Sequence, residues 1–216
     1  MSQRSALPWR ACNVVNEKQN SLLAPPPLNL FEASVDDAMQ LLDSLRPLES
    51  SLREAAACCI SSFKGGHKLL ACGNGGSACE AQHLVGELIG RYRGTRDGLP
   101  AVALTADSAV LTCVGNDFRF EDVFARQVQA LGNPGDVLVA FTTSGYSGNV
   151  LAALELARKL QLTSIAFLGR DGGAAACLAD CKLIVPHTDT ARIQEGHQFL
   201  MHSLMDIIEA ETAHES

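Results

Sequence analysis

Lys68-Leu69-Leu70-Ala71-Cys72 runs directly into Gly73-Asn74-Gly75-Gly76-Ser77, and Cys79 onward then reads as a helix. A short apolar run, a glycine-rich turn and a helix start make one strand–turn–helix unit. Glycines in such a turn let the backbone approach a ligand closely, and the helix start offers unpaired N–H groups to an anion. The turn lacks the Lys-Ser/Thr of a Walker A loop and the spacing of a dinucleotide fingerprint. Working outward, four more apolar runs of the same kind follow: Ala101–Thr105, Val137–Thr142, Ser164–Leu168 and Leu183–Val185. They are short, rich in Val, Leu, Ile and Ala, and bounded by Gly, Pro, Asp or Asn, which suits strands buried on both faces. Helical segments lie between them, over Cys79–Arg93, Asp107–Asn116, Phe120–Ala130, Gly148–Leu160 and Gly173–Ala179, with a last helix from Ala191 to Ala213. This alternation predicts an α/β fold, a five-stranded parallel sheet flanked by helices.

Upstream, two helices are expected. Leu30, Phe31, Ala38, Leu41, Leu42 and Leu45 mark the first, which Pro47 interrupts. The second covers Leu48–Phe63, with Leu52, Ala55, Ala56, Cys59 and Ile60 on one face, and Gly65-Gly66 ends it. Residues 1–28, ending in Pro25-Pro26-Pro27, read as a flexible N-terminal arm. The expected organisation is therefore an arm over 1–28, helices for oligomer packing over 29–66, and the α/β domain over 67–213.

Ligands of such sheets bind beyond the carboxyl ends of the strands. A second hydroxyl-rich turn stands there: Thr142-Thr143-Ser144-Gly145-Tyr146-Ser147-Gly148-Asn149 follows the strand ending at Phe141 and opens a helix. An N-cap accounts for one hydroxyl, not four. Two such turns on one sheet predict a small anionic ligand, a phosphate monoester or a sugar. The chain of 216 residues carries 17 basic and 24 acidic side chains, a net charge of −7. That balance disfavours binding to a nucleic-acid backbone, and no apolar run is long enough to span a bilayer. No signal peptide is read at the N-terminus. The eight cysteines form no CxxC pair and mostly sit in apolar stretches, which predicts reduced, buried thiols and a cytoplasmic protein.

His83 and Glu87 are spaced i, i+4 and share a helix face, which Arg91 is expected to continue. On the last helix Gln194 and His202 are eight residues apart, about 80° around the axis, so both can border one cleft. His197 is expected to point elsewhere, as a surface or core histidine. Two histidines, a glutamate and an amide oxygen make a donor set suited to Zn²⁺ once the fold brings these helices together.

In order along the chain stand GNGGS, AQHxxxEL, GRYR, CVGNDF, TTSGYSGN and RIQEGHxxxxH. Over residues 30–210 this set resembles the SIS (sugar isomerase) domain family, and within it the phosphoheptose isomerases. The resemblance implies a flavodoxin-like fold, a phosphorylated seven-carbon sugar as substrate, a homotetramer with sites between subunits, and one zinc ion per site. Carried over position by position, Asn74, Gly75, Gly76 and Ser77 would form one wall of the site. Asn116 and Asp117 would contact the sugar, and Thr142, Thr143, Ser144 and Ser147 would hold the phosphate. His83, Glu87, Gln194 and His202 match the zinc ligands, Gln194 also borders the substrate, and Arg91 matches a position near the site. Glu87 and His202 match the acid–base pair. Such a pair would move a proton between C1 and C2 through an enediol. The implied reaction converts sedoheptulose 7-phosphate to glycero-manno-heptose 7-phosphate and opens nucleotide-heptose synthesis. Tyr146, Ala191 and Gly86 depart from the family pattern and bear on which sugar is recognised. Two other readings compete: a non-catalytic SIS scaffold that binds the replication initiator, and an isomerase of another phosphosugar. The presence of both Glu87 and His202 favours the enzyme.

Overall fold

The computed structural model describes residues 29–212, so the reading of residues 1–28 as an arm lies outside the described residues. Two units are distinguished, the shorter ending at Asp36 and the larger covering Asp37–Ser216. The described part of the shorter unit is the beginning of helix α1 (Leu30–Ser44), where Leu30, Phe31 and Val35 are exposed.

The larger unit completes α1 and adds a single 3₁₀ turn at Arg46–Leu48, with Pro47 in its first turn, where a missing N–H costs nothing. Helix α2 (Glu49–Lys64) follows. The strands are β1 (Leu69–Gly73), β2 (Ala101–Ala103), β3 (Val137–Thr142), β4 (Thr163–Gly169) and β5 (Cys181–Val185). The remaining helices are α3 (Gly76–Ile89), α4 (Ser108–Asp117), α5 (Val123–Leu131), α6 (Gly148–Lys159), α7 (Ala175–Leu178) and α8 (Thr190–Thr212). All strand pairs are parallel and the order is β2-β1-β3-β4-β5, the flavodoxin-like arrangement.

Each strand serves two cores because its side chains alternate. Leu69, Ala71, Val139, Phe141, Phe167 and Leu183 meet α2, α3 and α8 on one face. Leu70, Cys72, Leu138, Ala140, Ala166 and Leu168 meet α4, α5 and α6 on the other. This double burial explains why the strands read as unbroken apolar runs. Helix α8 buries Ile193, Gly196, His197, Leu200, Met201, Leu204, Met205 and Ile208, a helical stripe. Gly196 lets α8 lie against the sheet edge: a Cβ there would come within 2.9 Å of Val185.

Several boundaries differ from those expected. Helix α3 begins at Gly76 and stops at Ile89 rather than Arg93. Residues 120–122 form a 3₁₀ turn ahead of α5. Strand β5 starts at Cys181, and α7 is a single turn. Among the described cysteines, Cys59, Cys72 and Cys181 are buried, but Cys79, Cys113 and Cys177 are exposed. Burial pushes the Cys72 thiol up to about 12, so it stays protonated and inert.

At the amino ends of the strands, Asp136 is 1% exposed and holds Lys68 Nζ at 2.6 Å. Its oxygens also accept the backbone N–H groups of Lys68 and Asn133. Burial by itself raises this carboxyl, but the hydrogen bonds from Lys68 and the two amides outweigh it and lower the pKa. A depressed native pKa stabilises the fold above the unfolded carboxylate value of about 4, and that contribution is lost as pH falls through the native value. Asp136→Asn is expected to cost about 2–3 kcal/mol at neutral pH. Urea titrations should show the gap between variant and wild type closing as pH falls below about 4; a gap independent of pH would contradict the assignment.

Candidate active site

The two turns noticed in the sequence lie side by side, at the carboxyl ends of neighbouring strands β1 and β3. Asn74 of the first and Asn149 of the second exchange reciprocal amide hydrogen bonds of 2.8 and 2.9 Å. Asn149 is 3% exposed and Asn74 half-buried, so the pair is a partly buried clamp between the turns. Nothing in the sequence pointed to it. In the first turn Gly75 takes φ 57°, which glycine adopts without strain. Ser77 is buried, and its N–H donates to the Asn74 carbonyl. The Gln194 carboxamide lies on Gly76, and a Cβ there would displace it.

In the second turn the Thr142 hydroxyl accepts the Gly145 N–H at 3.2 Å and stands 3.4 Å from the Ser147 hydroxyl. Ser144 Oγ accepts the Tyr146 N–H. Ser147 is the N-cap of α6 but makes no side-chain capping bond, so its hydroxyl is not spent on the helix. Tyr146 is 63% exposed and points outward.

Helices α3 and α8 pack side by side and carry the titratable cluster. His83 Nε2 stands 2.9 Å from Glu87 Oε1. Imidazole rings of His83 and His202 meet edge-on, with centroids 5.1 Å apart. Donor atoms from His83, Glu87 and His202 all lie within 4.8 Å of one another. The expected proximity of these three residues is therefore real. Tyr92, which the sequence reading passed over, stacks on His202 with centroids 5.6 Å apart. Gln198, also passed over, sits between the histidines, with its Nε2 2.9 Å from His83 Nδ1 and 3.1 Å from His202 Nε2.

The cluster is held by the segment after α3. Arg96 is nearly buried and donates to the carbonyls of Glu87 and Leu88, at 2.7 and 2.8 Å. It satisfies the last carbonyls of α3 and places a cation at the negative end of the helix. Glu209 of α8 accepts the N–H groups of Arg93 and Gly94.

Other expected site residues stand apart. Arg91 follows the end of α3 at Gly90, so it is off the His83–Glu87 face and exposed. Asn116 and Asp117 are exposed at the end of α4 and hydrogen-bond each other at 2.7 Å. His197 does point away from the cluster: it is fully buried, shares a hydrogen bond with the Leu168 carbonyl at 3.0 Å, and faces Glu80 at 3.5 Å.

The flavodoxin-like sheet carries paired glycine- and hydroxyl-rich turns and a His–Glu–His cluster, and residues 35–169 match the SIS domain family. A phosphoheptose isomerase of Geotalea daltonii is 54% identical over 180 residues, covering 83% of this chain and 94% of that protein. One from Trichlorobacter lovleyi is 49% identical over 162 residues, covering 75% and 83%. The solved phosphoheptose isomerase of Neisseria gonorrhoeae superposes with a TM-score of 0.79 at 41% identity, covering 83% of this chain and 97% of that one. The chain belongs to the phosphoheptose isomerase family of aldose–ketose isomerases.

Proposed function

We propose that the protein interconverts sedoheptulose 7-phosphate and glycero-manno-heptose 7-phosphate, the first step towards a nucleotide-activated heptose. The observation that carries this reading is the convergence of His83, Glu87 and His202 on one point, in a chain whose relatives are phosphoheptose isomerases. A scaffold needs no such cluster.

The phosphate is taken by the turn Thr142–Ser147, where Thr142, Thr143, Ser144 and Ser147 supply hydroxyls at the start of α6. Asn74, Gly75, Gly76 and Ser77 form the facing wall, fixed to that turn by the Asn74–Asn149 clamp. Asn149→Ala frees the two turns from each other and is expected to raise KM about tenfold with a smaller change in kcat. Initial-rate kinetics check this; an unchanged KM would contradict the role of the clamp. Sugar contacts are assigned to Arg91, Asn116 and Asp117 by resemblance alone.

Isomerisation removes a proton from one carbon and returns it to its neighbour while the oxygens exchange a proton. Glu87 moves the carbon-bound proton, and His202 donates to and accepts from the oxygen. Tyr92 and Gln198 hold the His202 ring in place for that transfer. The residues suit a zinc ion: two imidazoles and a carboxylate with converging donors are a borderline-soft set of the right size. His83, Glu87 and His202 would hold it; the Gln194 carboxamide, expected as a fourth donor, lies instead on Gly76, about 10 Å along α3 from His83. When bound, zinc supplies Lewis-acid polarisation of the sugar carbonyl.

Incubation with sedoheptulose 7-phosphate in D₂O tests the proton route. Deuterium at C2 of the aldose product is expected, and full retention of the substrate proton in every turnover would contradict exchange at a partly exposed Glu87.

By helix rise, His83 and Glu87 stand about 10 and 16 Å along α3 from Gly76, so a partner subunit is expected to bring the two halves of the site together. An open cavity of about 760 Å³ between α1 and α8, lined by Met39, Leu42, Leu52 and Phe199, supports a homotetramer. Light scattering should give four chains. No helix among the described residues is long and apolar enough to cross a membrane, in keeping with a cytoplasmic biosynthetic enzyme.

A further inference from the structure

Gln194, Gln198 and His202 follow one another at intervals of four on α8, so they form one stripe facing α3. Gln198 is half-buried in the middle of that stripe and contacts both imidazoles of the cluster. The two nitrogens of His83 are thereby differentiated. Nε2 faces the Glu87 carboxylate at 2.9 Å, and Nδ1 faces the Gln198 carboxamide at 2.9 Å. A neutral imidazole has one lone pair and one N–H, and the partner of one nitrogen fixes which the other carries. A histidine that ligates a metal through one nitrogen typically donates its other N–H to an outer acceptor, and that acceptor orients the ring and raises its basicity.

We propose that Gln198 is a positioning residue of the metal-binding site, fixing the tautomer of His83 and the orientation of His202 through its carboxamide. This rests on the reading of His83, Glu87 and His202 as ligands of a zinc ion. A carboxamide presents either its oxygen or its NH₂ after a half-turn of its last torsion. In the structure the NH₂ faces both rings; after the half-turn the oxygen toward His83 Nδ1 accepts the N–H there and leaves Nε2 free beside Glu87. A hydrocarbon at this position supplies neither function.

Zinc affinity of the full chain, measured by competition with a chromogenic chelator, tests the inference in wild type and in Gln198→Leu, Gln198→Met and Gln198→Glu. Wild type is expected to bind one zinc per chain. Leu and Met are expected to raise the zinc Kd about 10- to 100-fold with little change in melting temperature. Gln198→Glu retains an acceptor for the Nδ1 proton and is expected to match or tighten wild-type binding. An unchanged Kd in both Leu and Met variants would overturn the inference while leaving the zinc site standing. A tighter Kd in those variants would also overturn it, because the carboxamide would then compete with the ion. Wild type that binds no zinc would overturn the ligand reading itself, and this inference with it.

Discussion

Glu87→Gln should leave the protein folded and reduce kcat by about a thousandfold. A positioned acid–base group contributes roughly 10²- to 10⁴-fold, and among the described residues no second carboxylate belongs to the cluster of His83, Glu87 and His202. The substitution keeps volume and can still hydrogen-bond His83 Nε2, so the ring geometry survives. It removes the negative charge to which the proposed mechanism assigns the carbon-bound proton, and it weakens the proposed donor set for zinc. Two measurements separate these losses. Zinc-saturated variant should show the same depressed kcat with KM changed only a few-fold, since an interaction made mainly in the transition state has gone. Activity near wild type would contradict the role of Glu87. Recovery by excess zinc alone would show that it serves only as a ligand.

The second large effect is expected at Gly145. Its φ of 69° lies in the left-handed region, and a Cβ would run into the carbonyl of Gly172 and the backbone of Gly173. The neighbouring turn cannot retreat easily, because the Gly145 carbonyl accepts the Ala175 N–H that starts α7. Gly145→Ala therefore meets a conformational cost of about 1–2 kcal/mol and a backbone collision of similar size. A total near 3 kcal/mol should lower Tm by about 6–12 °C. The same collision distorts the turn from Thr142 to Ser147, so KM should rise more than kcat falls. Calorimetry and initial rates check both halves. A variant with wild-type Tm and KM would show that this turn is neither rigid nor in contact with phosphate.

The strands were legible because a parallel sheet covered on both faces demands apolar runs, and Lys68–Cys72 and Val137–Thr142 supply them without interruption. The two turns were legible for a chemical reason: glycines and hydroxyls cluster where a strand hands over to a helix. The end of α3 was not. Tyr92 alone continues the apolar pattern past Gly90, and the helix stops where Arg96, arriving from six residues further on, takes the carbonyls of Glu87 and Leu88. That is tertiary information, and it moved Arg91 off the expected face.

His197 had a readable signal. It shares the buried stripe of Ile193, Leu200, Met201 and Leu204, which fits a core residue better than a ligand. Gln198 and the Asn74–Asn149 clamp had none, since a carboxamide looks the same in a sequence whether it meets solvent, another amide or an imidazole. The roles of Asn116 and Asp117 rest on resemblance, because their hydrogen bonds are local to the end of α4.

The central claim is tested most directly by following zinc-loaded wild-type protein with sedoheptulose 7-phosphate by NMR, beside five- and six-carbon ketose phosphates and a chelator-treated control. The account predicts steady formation of the heptose aldose phosphate, preferred about tenfold or more over the shorter sugars, and lost on chelation. Absence of any aldose from the seven-carbon substrate, in protein shown to hold zinc, would contradict it.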